Sequence, residues 1–172
     1  MNGVWRDDFG AFPKYSYIRN YIGSKHTPYI GKEGCVIMVK LRQMSHDIWE
    51  PDHKYWDASP NSKDWNAYSN NIQRLDLYSS KYERVFVEQW DKNSKISIEI
   101  PINGKEIFVV DGEFKTNDGI HNEHHWTRYP NNTDKSYYID GISGDNGCYI
   151  WCKEGHLSSN EVGIDMSLKG KL

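Results

Sequence analysis

Two stretches of this 172-residue chain repeat one outline. Residues 2–41 read NGVWRDDFGAFPKYSYIRNYIGSKHTPYIGKEGCVIMVKL, and Asp111–Glu154 carries the second version. A shift of 109 places Gly3 on Gly112, Gly10 on Gly119, Tyr17 on Trp126 and Arg19 on Arg128. A shift of 113 places Gly34-Cys35 on Gly147-Cys148, Ile37 on Ile150 and Lys40 on Lys153. The second copy therefore holds a four-residue insertion before Gly147. A period of roughly 110 residues is far longer than a solenoid unit, so each copy is about domain-sized.

Within each copy, short β-rich runs alternate with turn signals. Tyr15–Asn20 reads as a strand. Cys35–Leu41, CVIMVKL, is the clearest strand of the first half, bounded by Gly34. Asn70–Tyr78 and Arg84–Trp90 alternate apolar and polar residues. In Lys95–Ile100, Ile96, Ile98 and Ile100 share one face. Asn103-Gly104 is a hairpin turn signal. Glu106–Val110 follows as a strand that Asp111-Gly112 is expected to turn, and Cys148–Lys153 closes the second copy. Arg42–Ala67 is polar and aromatic, expected to be mostly loop with Trp49, Trp56 and Trp65 pinning it down. Ser158–Leu172 is a polar tail without strong periodicity. No segment carries an amphipathic helical pattern. Many short strands with Gly-rich turns predict an all-β antiparallel sandwich or barrel.

Bulk properties narrow the function classes. The net charge of -3 offers no electrostatic case for nucleic acid or an anionic membrane. No apolar run approaches the roughly 20 residues of a membrane helix, and the N-terminus lacks a signal-peptide pattern. Three cysteines is an odd number, and Cys35 and Cys148 recur at matching positions inside apolar runs. They read as buried thiols in a cytoplasmic, reducing compartment. Cys148 and Cys152, four apart in a strand, lie about 13 Å from each other by the strand rise, too far for a mutual disulfide.

The residues Gly3-Val4-Trp5, Asp7-Asp8, Gly10, Pro13, Tyr17-Ile18-Arg19-Asn20, Gly23-Ser24, His26-Thr27-Pro28, Glu33-Gly34-Cys35 and Val39-Lys40-Leu41-Arg42-Gln43 resemble the late half of the first cupin in the ChrR-like, anti-sigma-factor type of double cupin. The second half, ending GCYIWCKEGHL, is similar to that family's second cupin, so the resemblance runs from Met1 to about Leu157. It implies a jelly-roll β-sandwich or barrel: one complete cupin plus the C-terminal half of another. The implied division is 1–48 as that half cupin, 49–68 as a connecting segment, 69–157 as a second cupin and 158–172 as a tail.

The family's metal site uses two His and a Glu from an early hairpin and a third His from a later turn, suited to Zn or Fe. His26 occupies the late-His position, and the other three positions of the first copy are expected before Met1. In the second copy the corresponding positions fall on Glu99, Pro101, Lys105 and Lys135, a degenerate set in which Glu99 is expected to pair with Lys105 or Lys135. Strand alternation turns Glu106 to the face opposite Lys105. His26 is thus either a metal ligand or a turn histidine, and a bound metal, if present, is Zn or Fe. His121-Asn122-Glu123-His124-His125 is a second cluster; as a strand it would put His121, Glu123 and His125 on one face. Arg19 and Arg128 recur, either lining a cavity to hold an anion or each forming a structural pair with a carboxylate or carbonyl.

Three functions fit this resemblance: a regulatory, small-molecule-binding module with an incomplete or lost metal site, a non-haem metal dioxygenase acting on a small diketone-like molecule, or a metal-free structural cupin. Catalytic residues are not assigned. The expected partners are a small-molecule ligand and further copies of the chain, in a homo-oligomer whose strands complete the barrel.

Overall fold

The computed structural model describes residues 2–41, 53–132 and 134–157. All regular structure among them is β. The chain divides into two compact units between Ser59 and Pro60.

In the first unit, β1 (Asn2–Asp7) pairs antiparallel with β2 (Gly10–Phe12) and with β4 (Tyr29–Val36). A separate ladder joins β3 (Ser16–Arg19) to β5 (Lys54–Asp57), from Ser16 opposite Asp57 to Arg19 opposite Lys54.

The second unit adds β6 (Asn66–Ser69), β7 (Ile72–Ser79), β8 (Arg84–Trp90), β9 (Lys95–Ile100), β10 (Lys105–Thr116), β11 (Gly119–His121), β12 (Trp126–Tyr129) and β13 (Tyr137–Glu154). The long strands β10 and β13 pair along most of their length. Their halves serve two layers in a sandwich-like arrangement. At one end β10 also pairs β12, and β13 also pairs β8, which continues to β7 and β6. At the other end β10 pairs β11, and β13 pairs β9. The core between them is apolar: Phe86, Trp90, Ile96, Ile98, Ile100, Ile107, Val109, Phe114, Tyr129, Cys148, Ile150 and Cys152. In β9 burial follows the predicted alternation, with every isoleucine in and every polar residue out.

The repeat is a backbone repeat. Gly3 and Gly112 have φ of 74° and 75°, and Gly34 and Gly147 have 74° and 79°. Gly3 lies opposite Cys35 and Gly112 opposite Cys148, each beside a β-bulge. The hairpins match as well: Trp5 opposite Phe12 and Asp7 opposite Gly10 correspond to Phe114 opposite His121 and Thr116 opposite Gly119. Only glycine takes such a φ without strain, which is why the glycines carry the repeat most clearly.

Two expectations are corrected. The strand read over Cys35–Leu41 is instead Tyr29–Val36. Its hydrogen-bonding partner β1 ends at Asn2 opposite Val36, so the ladder stops there despite the β-branched sequence that follows. Asp111-Gly112 does not turn the chain. Gly112 is a bulge that bends β10 and lets it run on to Thr116. Of the connecting stretch, the described part contributes β5, and the register puts Trp56 opposite Tyr17 with the rings 5.3 Å apart. Trp49 lies outside the described residues.

Candidate functional site

The first unit brings four polar side chains together: Asp7, Asn20, His26 and His53. The β3–β5 register decides two of them. Arg19 lies opposite Lys54, and one further step places Asn20 across from His53. The Asn20 amide then bridges two imidazoles. Its Oδ1 is 2.6 Å from His53 Nδ1, and its Nδ2 is 3.1 Å from His26 Nδ1. With the amide placed this way, His53 donates through Nδ1–H and keeps its lone pair on Nε2, while Asn20 donates to His26. His53 Nε2 is buried with no hydrogen-bond partner among the described residues.

Asp7 closes the cluster from β1. Its side chain is fully buried and lies 3.5 Å from His26 Nδ1. It accepts from Trp5 Nε1 at 3.1 Å and from the Phe9 backbone N–H at 2.9 Å. The walls are aromatic. Phe9 stacks on His53 with centroids 4.4 Å apart, and Trp5 and Phe9 both meet the His26 ring edge-on. His26, singled out from the sequence, is therefore held in place by neighbours. His53 was not legible there, because nothing in its local sequence marks it and 33 residues separate it from Asn20.

The resemblance implies a metal held by imidazoles and a carboxylate. Imidazoles and a carboxylate are suitable donors, but His26 Nδ1 accepts from Asn20 and so carries its proton on Nε2, which leaves His53 Nε2 as the one free imidazole lone pair of the cluster. Among the described residues, no group of three or more His, Cys, Asp or Glu is placed to hold a metal ion. Among the described residues the set does not fit a cupin metal site.

In the second unit, Lys105, one of the four positions that the resemblance aligns with metal ligands, is held in an ion pair. Lys105 is 4% exposed. Its Nζ donates to the Glu99 carbonyl at 3.0 Å and pairs with Glu154 Oε1 at 2.9 Å. The expected partner of Lys105 is the Glu99 carboxylate. The register instead places Lys105 directly opposite Glu154, and cross-strand neighbours are the closest side chains a sheet supplies. Burial pulls the Lys105 pKa down, but the charges around it outweigh that and hold it above the usual lysine value. Cys152 does not supply that charge, because burial pushes its own thiol well up and keeps it neutral. Glu154 and Glu88 do. Nearby, Arg74 ion-pairs with Glu88 across the β7–β8 ladder, and Trp90 Nε1 donates to Glu88 at 2.8 Å.

Glu106 lies on the other face of β10, as alternation requires. It pairs with Arg128 Nε at 2.7 Å and with His156 Nε2 at 3.0 Å. The His121–His125 stretch is not one strand. β11 ends at His121, and His124 turns the chain with φ 69°. His121 is buried against Phe114, with Nε2 and Nδ1 each 3.1 Å from a threonine hydroxyl, those of Thr116 and Thr127.

Comparison with known proteins finds a match within the first unit. Residues 1–45 match the family model of the ChrR Cupin-like domain. The matched residues include Asp7, Asn20 and His26, while His53 lies beyond them. No curated protein matches the chain. Solved structures similar to it include Rhodobacter sphaeroides SigE in complex with the anti-sigma ChrR, at 9% identity and TM-score 0.43, covering 52% of this chain and 48% of that one. A putative acetylacetone dioxygenase from Methylibium petroleiphilum matches at 11% identity and TM-score 0.44, covering 54% and 70%. An RmlC-like cupin from Shewanella frigidimarina matches at 16% and 0.43, covering 56% and 85%. The match to the chain from the ChrR complex spans about half of that chain's length. Among the described residues, no helix is long and apolar enough to cross a membrane.

Proposed function

We propose that this chain is a regulatory, small-molecule-binding module of the ChrR cupin-like type, whose ligand is met by the Asp7–Asn20–His26–His53 cluster. The observation that carries this reading is the buried, unpartnered Nε2 of His53. A buried acceptor left unmatched costs roughly 1–3 kcal/mol, and a ligand hydroxyl or amide N–H would remove that cost. The Asn20 bridge presents Nε2 as an acceptor, and Phe9 and Trp5 offer apolar walls to the rest of a small molecule. The second unit supports a binding role over an enzymatic one, because Lys105 sits ion-paired where a metal-binding carboxylate would be required.

A thermal-shift screen of small carbonyl, hydroxy-acid and amide compounds tests this. The expected result is a set of compounds that raises the melting temperature of the wild-type chain and has no effect on Asn20→Ala or His53→Phe. Oxygen uptake is measured in parallel on chain incubated with Fe(II) and acetylacetone. Uptake that disappears in His26→Ala would overturn the binding-module reading in favour of a dioxygenase.

A further inference from the structure

Among the described residues, four strands of the second unit pair on one side only: β6, β9, β11 and β12. Three of these edges are blunted. β11 has three residues, β12 has four, and β6 has four with a shift of register between Ala67 and Ser69. Short or irregular edges protect a sheet against pairing with another chain. β9 has neither feature. It runs six residues against β13 in unbroken register, from Lys95 opposite Ile142 to Ile100 opposite Tyr137. Its inner residues Ile96, Ile98 and Ile100 are buried, and its outer residues Lys95, Ser97 and Glu99 are exposed.

The outer residues are self-complementary. Lys95 and Glu99 carry opposite charges and stand equally far on either side of Ser97. Residues directly opposite in an antiparallel pair point to the same face. Two copies of β9 can therefore be centred on a residue but not between two. Centring on Ser97 sets Lys95 of each copy against Glu99 of the other, and Ile96 against Ile98. Centring on Ile98 instead sets Lys95 against Pro101, which has no N–H for the ladder. Centring on Ile96 sets Glu99 against Asn93, which leaves the strand with φ 52°. In β13, Ile142 lies beside Lys95 and Tyr138 beside Glu99. Neither is charged, so the second copy supplies the nearest opposite charge in each row. The Glu99 carbonyl accepts from Lys105 Nζ and keeps a second lone pair for a ladder bond.

We infer that two copies of this chain pair antiparallel through β9, about a two-fold axis at Ser97, with Lys95 of each against Glu99 of the other. The outer face of the joined sheet then carries two opposite-charge pairs, and the isoleucine layers of the two copies meet on the inner face. This is strand addition at an isologous interface. A one-strand interface is small, so the dimer forms and dissociates with concentration. It stands independently of the ligand reading above.

Sedimentation equilibrium on the full-length chain tests it. The wild type is expected to dimerise. Lys95→Glu and Glu99→Lys should each weaken the dimer at least about tenfold, because each sets like charges opposite one another at two places. Both side chains are exposed, so neither change disturbs the core. An equimolar mixture of the two variants should restore the dimer as a heterodimer, since the like charges of one chain then meet the opposite charges of the other. A wild type still monomeric at about 1 mM, where even a weak dimer forms, would overturn the inference. So would variants that dimerise as tightly as the wild type, because the copies would then meet elsewhere. A mixture as monomeric as its components would overturn the register.

Discussion

Tyr15 and His124, separated by 109 residues, share one left-handed backbone conformation, with φ 69° at each. Neither is glycine, and both sit at the corner leading into an equivalent strand, β3 in one copy and β12 in the other. A bulky residue with positive φ is strained, so its recurrence at one repeat position marks a corner that the hairpin geometry imposes. Ser16 N–H bonds back to the Pro13 carbonyl at 3.1 Å, and His125 N–H to that of Asn122 at 2.9 Å, the same step in both copies.

The glycine pair of the first unit should separate two kinds of cost. Gly3 and Gly34 have the same φ of 74°. A Cβ on Gly3 would lie 2.2 Å from the Gly34 carbonyl oxygen, whereas one on Gly34 meets nothing within 4 Å. Gly34→Ala should therefore cost about 1–2 kcal/mol for backbone strain alone. Gly3→Ala should cost more, about 3 kcal/mol or above, because the β1–β4 ladder must also shift. Urea denaturation of the two variants checks the order, and equal losses would contradict it.

Lys105 offers a second comparison. Lys105→Ala removes the partner of Glu154, whose side chain is 21% exposed, and leaves a cavity against Phe86. The expected loss is about 3 kcal/mol. Lys105→Met/Glu154→Leu replaces both partners by apolar side chains of similar volume, and should cost less than about 1.5 kcal/mol. Chemical denaturation monitored by tryptophan fluorescence reads both. A double variant as damaged as the Ala variant would show that the charge pair itself stabilises the unit.

The cysteines should differ in reactivity. Burial pushes the Cys148 thiol up to about 12 and Cys152 well above its ordinary value, and both are buried, while Cys35 is only partly so. Thiolate is the reactive form. Under native conditions at neutral pH, iodoacetamide should label Cys35 and spare the other two. In denaturant all three should react, as peptide mass spectrometry would record.

His121 should make the second unit acid-sensitive. Burial first, and then the neighbouring His125, lower its pKa below the ordinary 6.5, against an opposing pull from Asp118. The unfolded state then binds the proton more readily than the folded one. His121 thus contributes stability that is present above about pH 6.5 and is lost as the pH falls toward its folded value. His121→Phe, the residue the first copy holds there as Phe12, should flatten the loss of stability between pH 7 and pH 5. Denaturation midpoints at the two pH values measure it, and an unchanged slope would assign the sensitivity to other groups.

The sequence by itself determined the repeat, the all-β class and most strand positions. Those follow from local chemistry: glycines where φ is positive, and alternation where one sheet face is buried, as at Ile96, Ile98 and Ile100. It also marked His26 and the face change between Lys105 and Glu106. Only the tertiary structure decided what these residues meet. Asn20 reaches His53 because the β3–β5 register sets them across from each other, and Lys105 meets Glu154 rather than the Glu99 carboxylate because the β10–β13 register makes them neighbours. The strand expected at Cys35–Leu41 ends at Val36 for a similar reason. A β-branched run becomes a strand only where a partner supplies hydrogen bonds, and the partner lies elsewhere in the chain. Pairing between distant segments is set by the summed fit of two whole strands, which no local window contains.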